Sequence, residues 1–279
     1  MKLSSPETHA VLSIAGSDPS GGAGVQADLK TFAVLGVYGC AAITCLTAQN
    51  TQGVSATLPV DPDFVRQQIH LVLNDLPITH VKTGMIYSGA IAEAVGEALA
   101  DFKGEIICDP VMTASDGHDL LRPDAGGSFT RHLVNHATVL TPNIPELKLL
   151  SGHDCSRQEE ARMAGLSLFD QFENLQAVVV KGGHQNEQRD EITDTLLLRP
   201  TGTGAHRILQ QSHRRIETSN THGTGCTFAS AFAAFHLLTG NYEISFQRAV
   251  NFIDQLLKRG ASLTIGKGHG SLPHHLYIP

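Results

Sequence analysis

"AVLSIAGSDPSGGAGVQADLKTF" (10–32) is the stretch on which the architecture turns. Its first seven residues form an apolar run of the length and composition of a strand buried on both faces. A glycine-rich turn follows and feeds residues 24–35, whose apolar positions recur at helical spacing. The next strand-like run is "CAAITCL" (40–46). The same alternation continues: "THVKTGM" (79–85), "EIICDP" (105–110), "ATVLTP" (137–142) and "AVVVKGG" (177–183) read as strands, and 62–75, 89–102, 143–151 and 156–171 as helices. Strand–helix alternation implies right-handed crossovers and a central, mostly parallel sheet flanked by helices on both faces, an α/β fold. After residue 183 the pattern changes to a hairpin, "TDTLLLRP" and "HRILQQSHRRI" joined through "TGTG", and then to helices over 223–238 and 243–262. With no low-complexity linker and no repeat, residues 1–279 read as one domain.

The 279 residues are 41% hydrophobic and 17% charged with a formal charge of −7, enough to bury one large core. No basic block or Lys/Arg stripe points to nucleic acid or to an anionic membrane. Every apolar run falls well short of the roughly 18 residues that span a bilayer, and the N-terminus lacks the shape of a signal peptide. The five cysteines, Cys40, Cys45, Cys108, Cys155 and Cys226, are odd in number and contain no CxxC pair, which fits reduced thiols in a cytoplasmic protein. The 15 histidines show neither HExxH nor finger spacing.

In open parallel sheets ligands bind beyond the carboxyl ends of the strands. Asp18 and the glycines behind it, Gln49, Met85, Asp109, Asn143 and Lys181 all follow such runs. In "NTHGTGCTFASAFAAF" (220–235), Gly223, Thr224 and Gly225 open a helix. Glycines admit an anion close to the backbone, and N–H groups with the helix dipole stabilise its charge. Cys226 stands at that helix mouth, where a thiol's pKa is expected to fall below about 8.5; base, nucleophile and ordinary buried thiol are all open to it. Asp28, on the first turns of the 24–35 helix, can bind a ligand amine, although an acid there more often simply faces water. Asn143 and Glu146, three apart after a strand, suit either a capping box or a hydrated Mg²⁺ beside a polyphosphate. Lys181 ends a buried strand where it can neutralise phosphate, or snorkel. The 17–32 turn matches neither the dinucleotide GxGxxG nor the GxxxxGK[ST] pattern. Together these groups make a phosphoryl-transfer set unlike that of a Walker ATPase or a protein kinase.

The blocks "SIAGSDPSGGAGVQADLKTFAVLGVYGC…ITCLTAQNTQGV", "KTGM", "DPVM", "TPNIPE", "VKGGH", "THGTGCT" and "GKGHG" resemble the bacterial hydroxymethylpyrimidine/phosphomethylpyrimidine kinases of thiamine biosynthesis, within the ribokinase superfamily. The resemblance runs in order over nearly the whole chain and is loose only around 184–215. It implies a ribokinase-like fold and a cytoplasmic, ATP- and Mg²⁺-dependent kinase. Such an enzyme converts 4-amino-5-hydroxymethyl-2-methylpyrimidine to its monophosphate and then to the diphosphate. It implies that Asp28 and Gln49 hold the aminopyrimidine edge, with Met85 and Val111 beside the ring. Gly223, Thr224 and Gly225 would form the anion hole, and Cys226 would take the place of the aspartate base of sugar-kinase relatives. Lys181 would reach the phosphates, and Asp109, Asn143 and Glu146 would serve the Mg²⁺ shell. By analogy the protein is a homodimer, with "VYGCAAITCLTAQN" at the interface, and it has no nucleic-acid or membrane partner. One departure stands out: the loop after "DPVM" reads "ASDGHDLL", with Ser115 and His118 where relatives carry a lysine and an acid. Two other readings remain, a pyridoxal/pyridoxine kinase and a non-catalytic pyrimidine-binding module; the residue types at Gln49 and Asp28 favour an exocyclic amine.

Overall fold

A computed structural model describes residues 9–112, 120–122, 124–184, 190–200, 202 and 204–278. The altered loop with Ser115 and His118 lies outside the described residues. The first strand, β1 (Ala10–Ser17), runs into helix α1 (Gly24–Val34) through the glycine-rich turn and returns as β2 (Tyr38–Asn50). The chain continues through β3 (Gly53–Pro59), α2 (Pro62–Asp75), β4 (Ile78–Thr83), α3 (Gly89–Leu99) and β5 (Glu105–Cys108). Then come α4 (Gly126–His132), β6 (Val139–Leu140), α5 (Ile144–Ser151), α6 (Gln158–Gln171) and β7 (Ala177–Val180). The hairpin β8 (Glu191–Leu198) and β9 (Arg207–Arg214) follows, and α7 (Thr224–Thr239) and α8 (Tyr242–Gly260) close the chain.

These strands form one sheet in the order β3-β2-β1-β4-β5-β6-β7-β8-β9. The six from β2 through β7 in that order pair in parallel; β3 and β8 pair antiparallel with their neighbours. From β1 the chain first moves to β2 on one side and later returns to β4 on the other. The order therefore reverses at β1, and the crevice at its carboxyl end is where such a sheet takes a ligand.

Alternation along each central strand builds two cores. Leu12, Ile14, Ile106, Cys108, Val178 and Val180 pack on the face with α2, α3 and α6, whereas Val11, Ile107, Ala177 and Val179 pack on the other with α7 and α8. Burial on both faces explains why these strands read as continuous apolar runs. Helix α7 is buried over Thr227–His236 and touches α1, α8 and the middle of the sheet. Its small, apolar residues let it lie against all of them, and so its first turn is fixed over the crevice.

Two elements escaped the sequence reading. The strand at 40–46 runs on to Asn50 and turns back as β3, an edge hairpin whose residues are mostly half-exposed. A strand without a buried face has no apolar periodicity to display. Helix α4 is only seven residues long and begins with Gly126-Gly127-Ser128, a poor helix start by composition.

Candidate active site

A cavity of about 710 Å³ opens at the carboxyl end of the sheet, lined from one end to the other by Gln49, Met85, Asp109, Lys181, Cys226 and His213. Most of the residues singled out from sequence meet there: Gln49, Met85, Val111, Asp109, Asn143, Glu146, Lys181, Gly223, Thr224, Gly225 and Cys226 all line it. Asp28 does not.

Asp28 is fully buried beneath the crevice. Its carboxylate accepts hydrogen bonds from Lys82 Nζ at 2.9 and 3.0 Å, from Ser13 Oγ at 2.6 Å and from Ser230 Oγ at 2.7 Å. Those donors come from β4, β1 and α7, so one carboxylate ties three elements to α1. The expected contact between Asp28 and a ring amine is thus corrected: the group is enclosed by its own protein partners. Lys82, equally buried, is held charged, because Asp28 outweighs the burial that would lower its pKa.

The glycine-rich turn is also not a free anion site. Asp18 accepts from the backbone N–H groups of Ser20 (2.8 Å), Gly22 (3.1 Å) and Ala23 (2.9 Å), filling the nest with the chain's own carboxylate. Burial would raise Asp18, but the bonds from His222, Ser20 and Ala23 hold it at about 2. His222 Nε2 lies 2.8 Å from Asp18 and 3.2 Å from the Gln49 side-chain amide, whose other end meets the Thr47 hydroxyl at 3.2 Å. Gln49 is therefore pinned from both sides in the cavity lining, which also includes Met85, whose sulfur lies 3.6 Å from Cys45 Sγ. His222 is a site residue that the sequence reading overlooked, although it stands inside "THGTGCT".

Gly223 has φ +82°, and a Cβ there would collide with the Gly22 carbonyl oxygen. Only glycine permits both the left-handed backbone and this loop-to-loop contact. Thr224 N–H and Oγ1 both turn inward to Thr221 O, at 3.2 and 2.6 Å, which removes Thr224 from the expected anion hole. Gly225 and Cys226 stand in the first turn of α7, where backbone N–H groups lack intrahelical acceptors, and both residues line the cavity. A Cβ on Gly225 would come within 3.4 Å of Lys181 Nζ and 3.7 Å of Asp109 Oδ2, so the glycine keeps open the space between helix mouth and lysine.

Burial pushes the Cys226 thiol up to about 11, against the pull of Lys82; the Gly24 N–H at the start of α1 also favours its thiolate. The helix-mouth expectation of a lowered pKa is thereby corrected: desolvation outweighs the favourable neighbours.

Lys181 donates to Asp109 at 2.9 Å and lies 4.0 Å from Glu146. Burial opposes its charge, but Asp109 and Glu146 more than restore it. Asn143 and Glu146 form a capping box on α5: Asn143 N–H donates to Glu146 at 2.8 Å and Glu146 N–H to Asn143 Oδ1 at 2.9 Å. Burial first, then Asp109, raises Glu146 to about 7, with Lys181 opposing. Among the described residues no cluster of three or more His, Cys, Asp or Glu is placed to cage a metal. Asp109 and Glu146 instead offer two hard oxygen donors beside the lysine, the chemistry of a hydrated Mg²⁺ shared with phosphates. Asn143 Oδ1 is already occupied by the cap.

A family model described as phosphomethylpyrimidine kinase matches residues 18–273. The chain belongs to the phosphomethylpyrimidine kinase family. It is 38% identical over 270 residues to the hydroxymethylpyrimidine/phosphomethylpyrimidine kinase of Bacillus subtilis, covering 96% of each chain. Among solved structures it resembles the phosphomethylpyrimidine kinase of Clostridium difficile 630 (TM-score 0.74, 32% identity, 88% of this chain and 98% of that one). It also resembles the pyridoxal kinase of Staphylococcus aureus in complex with AMP-PCP and pyridoxal (TM-score 0.81, 30% identity, 95% and 93%). The phosphomethylpyrimidine kinase family fold is ribokinase-like, as the resemblance implied.

Proposed function

We propose that this chain is an ATP- and Mg²⁺-dependent kinase of thiamine biosynthesis that phosphorylates 4-amino-5-hydroxymethyl-2-methylpyrimidine and then its monophosphate. The observation that carries the reading is the placement of Lys181 and the Gly225/Cys226 helix mouth across one cavity from Gln49 and Met85. The residues would act in sequence. Gln49 orients the ring through its exocyclic amine, with Met85 and Val111 against the ring plane. Lys181 and the N–H groups of Gly225 and Cys226 stabilise charge on the transferring phosphoryl group. The substrate oxygen bonds to the γ-phosphorus as the bond to the β,γ-bridging oxygen breaks, and the nucleotide leaves as the diphosphate. Cys226 Sγ takes the alcohol proton in the first reaction, through the minor thiolate form. Asp109 and Glu146 would hold Mg²⁺, which would supply further neutralisation of the phosphates.

The pyrimidine is favoured over pyridoxal by the family and by Gln49, although the same scaffold serves pyridoxal kinases. No helix among the described residues is long and apolar enough to cross a membrane, which accords with a cytoplasmic enzyme. The exposed apolar side chains of Tyr38, Leu46 and Leu58 on the edge hairpin support a homodimer there, and the single continuous sheet supports one catalytic domain. The test is ADP release with each ring compound. Release with hydroxymethylpyrimidine and with its monophosphate, well above that with pyridoxal, is expected. Binding of the pyrimidine without ADP release would leave a non-catalytic module.

A further inference from the structure

The part of the chain where the family resemblance is loosest, 184–215, ends on a residue that faces the cavity. His213, on β9, lies opposite Ile192 of β8 in the sheet, and its Nε2 donates to Asp194 Oδ2 at 3.2 Å. The Asp194 bond first, against burial, raises the pKa of this imidazole, with the backbone of Arg214 and the charge of Asp254 adding to it. Asp194 is itself buried, and its second oxygen accepts the Gly182 N–H at 2.8 Å. Gly182 directly follows Lys181. The imidazole is thus joined through one carboxylate to the turn that presents the phosphate-facing lysine.

The cavity that His213 lines also takes in the apolar residues Ile216, Val250, Ile253 and Leu257, the basic Arg214 and Arg215, and Lys181. Apolar side chains and cations sharing one cavity with Lys181 fit a heteroaromatic base carrying a polyphosphate. Gln49 and Met85 are left to the ring, as in the kinase reading. We propose that His213, carried as an imidazolium by Asp194, is a positioning residue for the nucleotide and makes nucleotide binding weaken as pH rises. The inference rests on the kinase reading above and adds to it a residue outside the shared motifs.

The charged groups around this imidazole are Asp194 from β8, Asp254 from α8, Arg214 at the end of β9 with Arg215 just after it, and, in the same cavity lining, Lys181 with Asp109 and Glu146. Glu146, raised to about 7, also adds negative charge over the same pH range, so the wild-type profile alone does not isolate His213. The comparison between variants does.

The experiment is calorimetric titration of ADP with Mg²⁺ at pH 6.5 and 8.5 into wild type, His213→Gln and His213→Lys, with pyrimidine titrations on the same samples. At pH 6.5 His213→Gln should bind ADP about three- to tenfold more weakly than wild type, the worth of one charge-assisted contact. As pH rises from 6.5 to 8.5 the difference between the two should narrow, and His213→Lys, whose charge persists, should lose the least affinity of the three. Pyrimidine affinity should be the same in all three, which also reports that each is folded. Equal ADP affinity of His213→Gln and wild type at pH 6.5 overturns the proposal. Wild type that binds the pyrimidine but not ADP at either pH overturns it together with the kinase reading.

Discussion

Replacing Asp28 tests whether the buried carboxylate is a core tie or a ligand contact. In Asp28→Ala, Lys82 remains buried with its nearest counter-charge gone, and breaking such a pair costs about 3–5 kcal/mol. The hydroxyls of Ser13 and Ser230 lose their acceptor as well, each about 1 kcal/mol. The total, about 5–7 kcal/mol, is a third or more of the stability of an ordinary domain, typically about 5–15 kcal/mol. Lys82→Met should cost about 4 kcal/mol for the converse reason. The double variant Asp28→Asn/Lys82→Met keeps the hydroxyl partners and removes both charges. Its loss should fall short of the summed losses of Asp28→Asn and Lys82→Met alone by about 3 kcal/mol, the coupling of the pair. Guanidinium unfolding followed by far-UV circular dichroism gives these values; the sequence has no tryptophan for fluorescence. Folded Asp28→Asn should bind hydroxymethylpyrimidine within about twofold of wild type. A stable Asp28→Ala with a pyrimidine affinity reduced tenfold or more would refute the core reading and return Asp28 to the binding site.

Gln49→Ala should weaken pyrimidine affinity about 5- to 150-fold, the range of 1–3 kcal/mol for a lost buried partner, and leave ADP affinity unchanged in calorimetry. Lys181→Ala should lower turnover by orders of magnitude at saturating ATP while pyrimidine binding persists; near-normal turnover would sink its phosphate role. Because the Cys226 thiol sits at about 11, its thiolate grows about tenfold per pH unit through neutrality, so kcat for the alcohol step should climb with pH. The monophosphate, whose oxygen is already ionised above about pH 6, needs no base and should show a flatter profile; Cys226→Ala should cripple the first step far more than the second. Equal losses in both steps would make Cys226 a shaper of the anion hole. Burial holds His274 neutral, with its pKa lowered to about 4, and protonation of the unfolded chain below about 6.5 therefore draws the protein toward unfolding. The stability advantage of wild type over His274→Gln should accordingly shrink by about 3 kcal/mol between pH 7.5 and 4.5, and an advantage constant with pH would contradict it.

What the sequence revealed and hid follows from what each residue answers to. The strands through β1, β4, β5 and β7 were legible because burial on both faces leaves an unbroken apolar run. The edge strand β3 was not, since an exposed edge places no such demand. Lys181, Asp109 and Cys226 were found because a parallel sheet brings strand ends and a helix mouth together by topology alone. Asp28 was misread because an acid on an early helical turn looks the same whether it faces water, ligand or a lysine from another strand. Only the packing of β4 and α7 distinguishes the three. The Cys226 pKa was misjudged for a related reason: the helix start is visible in sequence, but the depth of burial is not. His213 and Asp194 lie in a hairpin whose pattern carried no motif, and their meeting depends on strand register.

The Asp18–His222 and Asp28–Ser230 contacts join residues 204 and 202 positions apart. On a ribosome adding about 5–20 residues per second, α7 arrives some 10–40 s after α1 has emerged. Through that interval the growing chain can pair β1 with β2 and β4 and bury much of one core, yet it has neither the helix mouth nor the serine that completes the Asp28 knot. A nascent chain that has not yet reached α7 therefore lacks both ties, and the mouth of the cavity is completed only when that helix docks against α1 and β4.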